Sequence, residues 1–330
     1  TPANNRSPIH HHMRVAFTSC IDAINDPEQK GWVALAAQQP EHILLMGDCI
    51  YMDYGMGDHL ANGGPSQLSL REFSAHMHAS YARQWQVRNF RDAIRGRSVD
   101  AIWDDHDFAW NNARGEGSGV ADGNYVPRSY RRLSRALFQQ FRLVLRDRPD
   151  RYPDNPHADG DVQHDLGGIQ YSIDLAPDVR VHLTDGRSFR EAPSLGFSLL
   201  GEEQWKSLKQ ALHPAIDGAV NIIVSGTTMN DWRRYTEHNR LIDAAANANL
   251  LMLSGDIHEY GFNTHGRMFE ATASAMAQPP GLTRLIGKKS EVFGILDIGT
   301  EALRVGLWHK GKENSAWRIA RETWIATPAK

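Results

Sequence analysis

The chain has 330 residues, of which 41% are hydrophobic and 23% are charged, and its formal net charge is −3. This composition is typical of a globular protein with one large domain or two small ones. A net charge of −3 lacks the basic excess that is typical of nucleic-acid-binding proteins. The two cysteines are too few for a disulfide framework, and no apolar run is long enough to span a membrane.

Residues 1–12 are polar, carry three consecutive histidines and lack the apolar stretch of an intact signal peptide. We predict that they form a disordered leader or the remnant of a cloning tag, and that residues 13–330 form a single domain. If Met13 is the native start, the first strand begins at once and a cytoplasmic location is favoured. If it is not, residues 1–12 are the stub of a processed, exported form.

The first part of the chain alternates short apolar runs, typical of buried strands, with amphipathic stretches typical of helices. The predicted strands are residues 14–19, 42–46 and 99–103, and the predicted helices are residues 27–38, 69–85, 87–94 and 129–146. Asp26 is expected to cap the first helix, with Pro27 at its first position. Ser69 and Glu72 have the spacing of a capping box at the start of the second helix.

The loop at residues 148–168 is rich in Pro, Asp and Gly and is the best candidate for a domain boundary, but strands resume beyond it. Two of them, 170–174 and 179–184, are expected to pair as a hairpin. Helices at 202–212 and 235–246 precede strands at 220–225 and 250–253, and the runs 292–298, 303–308 and 317–323 indicate an antiparallel meander. This order predicts an α/β fold with layered sheets and helices outside.

Acidic residues, histidines and a tyrosine follow three of the predicted strands. They are Asp48 and Tyr51 after the second strand, Asp104, Asp105, His106 and Asp107 after the third, and Asp256 and His258 after the strand at 250–253. Each alone has an ordinary structural interpretation, for example as a turn residue. Three carboxylates within four residues, however, repel one another unless a cation neutralises them. Because ligands gather beyond the carboxyl ends of strands in α/β sheets, the pattern predicts one shared metal site.

Four motifs occur in a fixed order along the chain. They are Phe17-x-Ser19-Cys20, Gly47-Asp48-x-Ile50-Tyr51, Trp103-Asp104-Asp105-His106-Asp107 with Asn111-Asn112, and Ser254-Gly255-Asp256-x-His258. Together they resemble the alkaline phosphatase D family of calcineurin-like metallophosphoesterases, and the second also matches the G-D-x-x-Y motif of purple acid phosphatases. Asp185-x-Arg187-x-x-Arg190 is similar to a further segment of that family. The resemblance implies a layered metallophosphoesterase-type β-sandwich flanked by helices, so that residues 13–330 would be a single metallophosphatase domain.

The chain departs from the wider superfamily in its metal ligands, because Cys20 stands in place of the usual D-x-H motif and Asp256 in place of a histidine. The first expected ligand set is Cys20, Asp48, Tyr51 and His258; the second is Asp48, Asp105, Asn111 and Asp256, with Asp48 shared. Thiolate and phenolate donors favour ferric iron, and an all-oxygen set suits calcium or magnesium. The resemblance implies the same pairing of Fe³⁺ with Ca²⁺, with Mg²⁺, Mn²⁺ or Zn²⁺ as other candidates. Asp104 remains the alternative to Asp105.

The resemblance implies metal-dependent hydrolysis of a small phosphate ester, with phosphomonoesters favoured. In this hypothesis the two cations activate a water, His106 protonates the leaving oxygen, and Arg187 and Asn112 contact the substrate. An ordinary surface salt bridge is an equally good interpretation of Arg187. A phosphodiesterase or phospholipase-D-like activity is the first alternative, and a non-catalytic metal-binding homologue is the second. The sequence predicts no oligomeric state.

Overall fold

The computed structural model describes residues 13–56, 64–117, 122–163, 167–194, 196–278 and 289–329. The predicted leader at residues 1–12 lies outside these residues. In the described part, two multistranded β-sheets pack together and are flanked by helices, which confirms the predicted α/β class. No described helix combines the length and the apolar composition that a membrane span requires.

Thirteen strands are described. They are β1 (Met13–Thr18), β2 (His42–Met46), β3 (Ser98–Ile102), β4 (Tyr171–Ala176), β5 (Val179–Leu183), β6 (Val220–Ser225), β7 (Asn249–Ser254), β8 (Tyr260–His265), β9 (Met268–Ala273), β10 (Val292–Ile298), β11 (Ala302–His309), β12 (Lys312–Ala320) and β13 (Ile325–Pro328). The helices are α1 (Gly31–Ala37), α2 (Leu70–Gln86), α3 (Arg88–Ile94), α4 (Asp105–Phe108), α5 (Arg128–Asp147), α6 (Glu202–Ala211), α7 (Met229–Trp232) and α8 (Thr236–Ala244).

The first sheet has the strand order β13-β12-β11-β10-β1-β2-β3. Strands β1, β2 and β3 run parallel, whereas β10 to β13 form the predicted antiparallel meander and join the sheet through β1. The second sheet has the order β4-β5-β6-β7-β9-β8, in which β5, β6, β7 and β9 are parallel. The predicted hairpin of β4 and β5 lies at one edge of this sheet.

The two sheets share one apolar core, to which residues of both contribute. Near the end of the meander, the rings of Phe262 on β8 and Trp317 on β12 stack with centroids 4.7 Å apart. Phe269 on β9 packs beside Trp324 in the same region. Burying such large rings between two sheets is the main way that layered folds gain stability.

Some predicted boundaries are wrong. Helix α1 begins at Gly31 rather than at residue 27, because Gln29 has a left-handed backbone with φ of 46°. Asp26 instead accepts a hydrogen bond from the Gln29 amide at 2.9 Å in the preceding turn. The predicted strand 317–323 is also displaced: β12 starts at Lys312 with solvent-exposed polar residues, and the chain turns before β13.

Candidate metal centre

The site lies where loops leave the carboxyl ends of β1, β2, β3, β6 and β7. Four of the predicted ligands have a left-handed backbone: Cys20 (φ 59°), Asp48 (52°), Asp256 (72°) and His258 (52°). Such residues each cost about 1–3 kcal/mol and concentrate at functional sites, where the surrounding structure must hold them. At these turns the Cys20 sulfur contacts Asp48, and Asp48, Asp256 and His258 line one cavity.

Gly47 shows how close the backbones approach. Its φ is 97°, and a Cβ placed there would lie 2.6 Å from Cβ of Asp104. A larger residue would therefore both strain the turn and push the β3 loop away from the β2 loop. The glycine of the Gly47-Asp48 pair is needed so that Asp48 can reach the acidic run after β3.

The centre of the site is formed by Asp48, Asp105 and His106, which are all buried. Each offers one ligand atom, and the three atoms lie within 4.8 Å of one another. Burial raises the pKa of Asp48 well above its usual range, and nearby Asp105 and Asp104 act in the same direction. Within the described part of the chain, Oδ1 of Asp48 is buried and has no hydrogen-bond partner. A buried carboxylate oxygen without a donor fits a bound cation.

The remaining members of the first predicted ligand set lie next to this cluster. The Cys20 sulfur is 3.4 Å from Asp48 Oδ2, and the Tyr51 hydroxyl is 3.4 Å from Nε2 of His258. Burial raises the pKa of Cys20 and of Tyr51 well above their ordinary values. Thiolate and phenolate forms at this position therefore need a strong positive charge beside them. The structure places the set as two contacting pairs, Cys20 with Asp48 and Tyr51 with His258. Among the described residues, the ligand atoms of Cys20, Asp48 and His258 do not all lie within 4.8 Å of one another.

Three partners of these ligands were not identified from the sequence. The hydroxyls of Ser19 and Ser274 donate to the Cys20 sulfur at 3.4 and 3.1 Å, and Nε2 of Gln278 donates to the Tyr51 oxygen at 2.6 Å. Ser19 could have been found from its place in the Phe17-x-Ser19-Cys20 motif. Ser274 and Gln278 come from a distant segment, and no local pattern marks them.

Asp104 and Asp105 occupy different surroundings although they are adjacent. The carboxylate of Asp105 accepts from the amides of His106 at 3.1 Å and Asn112 at 2.6 Å. Although burial opposes ionisation, the guanidinium of Arg187 and the ring of His106 lower the pKa of Asp105 to about 2. Asp104 instead accepts from Nε of Arg187 at 2.6 Å. The geometry places Asp105 in the cluster with Asp48. Asp104 lies outside that cluster, although its Oδ2 is also buried and has no hydrogen-bond partner among the described residues.

The other expected ligands of the oxygen-rich set lie at the rim. Asp256 accepts from the Thr227 hydroxyl at 3.4 Å, and burial, with help from Asp104 and Asp105, raises its pKa to about 7. Asn111 is exposed beside the cluster. Asn112 is also exposed, with a φ of 61°.

His106 is held by Asp53, a residue that the sequence analysis did not single out. Nδ1 of His106 donates to Oδ1 of Asp53 at 2.5 Å, and the imidazole packs on the Tyr51 ring with centroids 4.3 Å apart. Burial by itself lowers the pKa of His106, but Asp105 and Asp48 outweigh it and raise the pKa to about 10. Asp53 lies two residues after the predicted ligand Tyr51, and this proximity was the only sequence pattern that could have marked it.

Arg187 is not part of a surface salt bridge, since its side chain is only 4% exposed. Besides its bond to Asp104, its Nη2 lies 3.7 Å from Oδ2 of Asp105. Asp107, the last acid of the run, has a structural position: its carboxylate accepts from the amides of Cys49 at 3.0 Å and Asp104 at 3.1 Å. Both cysteines are free, so no bond joins Cys20 and Cys49.

Two cavities meet at the cluster. The first, of about 500 Å³, is lined by Asp48, Tyr51, Asp53, Tyr54, His106, Asn111, Asp256, Ile257 and His258. The second, of about 310 Å³, is lined by polar and charged residues that include Asp105, Asn112, Arg187 and Arg190. Asn111, Asp256 and Ile257 line both. A molecule bound at the cluster can therefore extend into either space.

No family model matches this chain, and no curated protein matches it. Solved structures do. One described as "Structure of PhoD" matches with a TM-score of 0.67 at 14% identity, covering 97% of this chain and 72% of that chain.

Two other solved structures match less closely. The protein TT1561 of Thermus thermophilus matches with a TM-score of 0.39 at 10% identity, covering 96% of this chain and 98% of the other. A predicted phosphoesterase from Streptococcus pneumoniae matches with a TM-score of 0.35 at 7% identity, covering 94% of this chain and 98% of the other. At such identities the likeness to PhoD shows the fold alone: the chain has the metallophosphoesterase-type β-sandwich flanked by helices.

Proposed function

We propose that this protein is a metal-dependent hydrolase of phosphoric esters with a dinuclear centre. The observation that carries the proposal is the buried pair of Asp48 and Asp105, in which a carboxylate oxygen of Asp48 has no partner within the described residues. His106 lies within ligand distance of both carboxylates, and we assign it to proton transfer rather than to either ligand set. The cluster lies at the carboxyl ends of parallel strands, where α/β folds bind their ligands. The metallophosphoesterase-type fold supports the same reaction class.

Two ligand sets share Asp48. We propose that Cys20, Asp48, Tyr51 and His258 hold Fe³⁺, and that Asp48, Asp105, Asn111 and Asp256 hold Ca²⁺. Burial raises the pKa of Cys20 and of Tyr51, so only a strongly polarising ion would bring these groups to the thiolate and phenolate forms that bind it. When bound, the cations supply Lewis-acid polarisation of a phosphoryl oxygen and a lowered pKa of water. Mg²⁺, Mn²⁺ or Zn²⁺ are other candidates for the oxygen-rich set.

His106 is proposed as the general acid that protonates the leaving oxygen. Asp53 fixes the ring by its bond to Nδ1, which leaves Nε2 as the nitrogen that can face a substrate. In the metal-free protein, although burial opposes protonation, Asp105 and Asp48 raise the pKa of His106 to about 10. Once cations offset those two charges, the bond to Asp53 is the interaction that would favour the protonated ring. Arg187 and Asn112 line the adjoining cavity, where we propose that they contact the substrate.

The test uses enzyme reconstituted with iron and calcium. Initial rates on p-nitrophenyl phosphate and bis(p-nitrophenyl) phosphate compare monoester with diester; we expect the monoester to react faster. His106→Ala should keep both metals and lose at least about 100-fold in turnover. A faster diester rate would favour the phosphodiesterase or phospholipase-D-like alternative. Absence of turnover with both metals bound would favour a non-catalytic metal-binding protein.

Tyr51 gives a test that is independent of activity. A phenolate bound to ferric iron absorbs visible light, so the iron-loaded protein should be coloured. Tyr51→Phe should lose the phenolate band and keep only the thiolate band of Cys20, while most of the iron remains bound. Tyr54→Phe is the matched control, because Tyr54 stacks on Tyr51 at 4.7 Å but is not among the proposed ligands. A colourless wild-type protein with stoichiometric ferric iron would remove Tyr51 from the ligand set.

A further inference from the structure

The cavity beside the metal centre is lined by four arginines. They are Arg114, Arg187, Arg190 and Arg234; the other lining residues of the chain's described part are mostly asparagines, threonine and aspartates. Pro193 and Ile257 are the apolar side chains among them. A cavity with this lining does not favour an acyl chain or an aromatic ester arm, because either would leave many buried polar groups without partners.

Arg190 has an unused donor in this cavity. The residue is only 7% exposed. Its Nε donates to the Tyr235 hydroxyl at 2.9 Å, and its Nη2 pairs with Asp231. Within the described residues, its Nη1 is buried and has no hydrogen-bond partner. A buried guanidinium N–H without an acceptor costs free energy. Because Nη1 is itself buried, a ligand's acceptor would reach it only if the Arg190 side chain turned toward the cavity that the residue lines.

Arg114 also lines the cavity and repeats this arrangement. Its Nη2 pairs with Asp122, while its Nε is buried and lacks a partner in the described part of the chain. Arg234 lies at the mouth, where its guanidinium is exposed and 3.6 Å from Asp231. Three arginines therefore converge with donor capacity that their aspartate partners do not use up.

Three carboxylates also line the cavity, and their negative charge reduces the positive charge of the arginines. Asp105 and Asp256 belong to the proposed oxygen-rich ligand set, so a bound cation would offset their charge. Asp231 is shared between Arg190, Arg234 and the Thr227 hydroxyl. Arg114 and Arg187 are also paired with Asp122 and Asp104, which are not part of the lining. With the metal centre loaded, four arginines are therefore set against three other carboxylates, which leaves one net positive charge at the cavity.

We propose that this cavity is a second anion subsite, and that the substrate is a phosphoric ester carrying another anionic group, a phosphate or a carboxylate. This inference rests on the proposed function, because the scissile group must sit at the metal centre while the second group reaches the arginines. Residues Asn111, Asp256 and Ile257, shared by both cavities, mark the path between them. Arg190 and Arg234 are then specificity-determining residues.

The kinetic test compares propyl phosphate with propane-1,3-diyl bisphosphate, which have similar leaving groups but differ in the second anion. We expect kcat/KM to favour the bisphosphate by at least about tenfold, which corresponds to about 1.4 kcal/mol. Arg190→Gln and Arg234→Gln should bring this ratio close to one. Arg234 is exposed, so its variant remains informative even if Arg190→Gln fails to fold.

The matched control is Arg233→Gln, which removes the same charge from an exposed neighbour that does not line the cavity. It should keep the wild-type ratio. A wild-type ratio near one, or an equal effect of Arg233→Gln and Arg234→Gln, would overturn the subsite.

A binding experiment tests the anion subsite separately from the proposed hydrolytic activity. Calorimetric titration of inorganic pyrophosphate uses metal-free protein that carries Asp105→Asn and Asp256→Asn. These substitutions break the oxygen-rich ligand set and remove the two cavity charges that a bound cation would offset. We expect binding that Arg190→Gln or Arg234→Gln weakens at least about tenfold and Arg233→Gln leaves unchanged. If neither propyl ester is hydrolysed but this pattern is found, the activity is wrong and the subsite stands. Binding that is absent, or indifferent to Arg190 and Arg234, overturns the subsite whatever the turnover.

Discussion

Buried polar atoms without protein partners are the most informative single atoms of this molecule. Oδ1 of Asp48 is such an acceptor and Nη1 of Arg190 such a donor, within the part of the chain that the structure describes. The two residues line adjoining cavities. A buried acceptor without a partner favours binding of a cation, and a buried donor without a partner favours binding of an anion. A phosphate ester held by a metal ion would supply both.

Cys20 allows the iron assignment to be tested at one residue. We expect Cys20→Ala to lose most of the bound iron, because the substitution removes the thiolate that neutralises and binds a high-charge ion. Calcium content should change less, since Cys20 is absent from the oxygen-rich set. The measurement is metal analysis of protein reconstituted with both ions and then dialysed.

Cys49→Ala is the matched control for Cys20→Ala. Cys49 is also a free, buried cysteine, but it packs in the apolar core and its amide, rather than its sulfur, bonds to Asp107. This variant should keep its iron even if it is less stable. Full iron retention in Cys20→Ala, or equal loss in both variants, would remove Cys20 from the ligand set.

Asp53 acts through His106 and is therefore a positioning residue. We expect Asp53→Asn to retain both metals and to lower kcat by about 10- to 100-fold, the usual effect of removing such a partner. If His106 is the acid, the loss should be larger for an alkyl phosphate than for p-nitrophenyl phosphate, because nitrophenolate leaves without much protonation. An equal loss with both substrates would argue that Asp53 only maintains the structure of the loop.

The boundaries of helices and strands were predicted best where a single local sequence pattern determines them. The capping box of Ser69 and Glu72 starts α2 at the expected place, with both reciprocal bonds present, and β6 and β10 match the predicted runs residue for residue. Strand β9 was missed although it is fully buried. The strand contains a buried charged residue, Glu270, which accepts from the Ser254 hydroxyl and the Met229 amide, both at 2.8 Å; these partners are distant in sequence, and no local pattern predicts them.

Strand β5 carries a buried histidine that should make stability depend on pH. His182 is bonded to Ser172 on β4 at 3.0 Å and to Asn221 on β6 at 3.2 Å. Burial lowers its pKa from 6.5 to about 4. The unfolded chain therefore binds a proton at higher pH than the folded one. The stability that this histidine contributes is complete above about pH 6.5 and is lost as the pH falls toward 4.

His182→Gln should reduce this dependence. Between pH 7 and pH 4.5, we expect wild type to lose about 2–3 kcal/mol more free energy of unfolding than the variant does. Urea denaturation at the two pH values measures this, and the pairwise comparison cancels the contribution of the other acidic groups. His238→Gln, at a more exposed position on α8, should behave as wild type. Parallel pH dependence in wild type and His182→Gln would contradict the expectation.

At the scale of the whole molecule, more of the fold than of the candidate site could be predicted from the sequence. The order of strands and helices, together with the four motifs, gave the layered architecture and the group of loops that form the centre. The choice between Asp104 and Asp105 could not be made, because two adjacent residues in a turn differ only in where the loop directs them. Gln278, Ser274 and the arginine-lined cavity depend on contacts between distant segments, which no local pattern encodes.

The buried carboxylates make the stability of the whole protein depend on metal. Without cations, Asp48 is buried near Asp104 and Asp105, and its raised pKa reflects that cost. A ligand that binds only the folded state stabilises it by about 2.7 kcal/mol at 100 times its Kd. We therefore expect chelation to lower the Tm of the reconstituted protein by several degrees.

Asp48→Asn separates this effect from general damage by the chelator. Asparagine tolerates the left-handed backbone of residue 48, and the variant removes one repelling carboxylate. Its metal-free Tm should therefore equal or exceed that of metal-free wild type, and adding chelator should leave it nearly unchanged. A scanning calorimetry comparison of both proteins, with and without chelator, decides the point. Equal decreases in both would mean that the stabilising metal lies elsewhere, and no decrease in either would mean that Asp48 holds none.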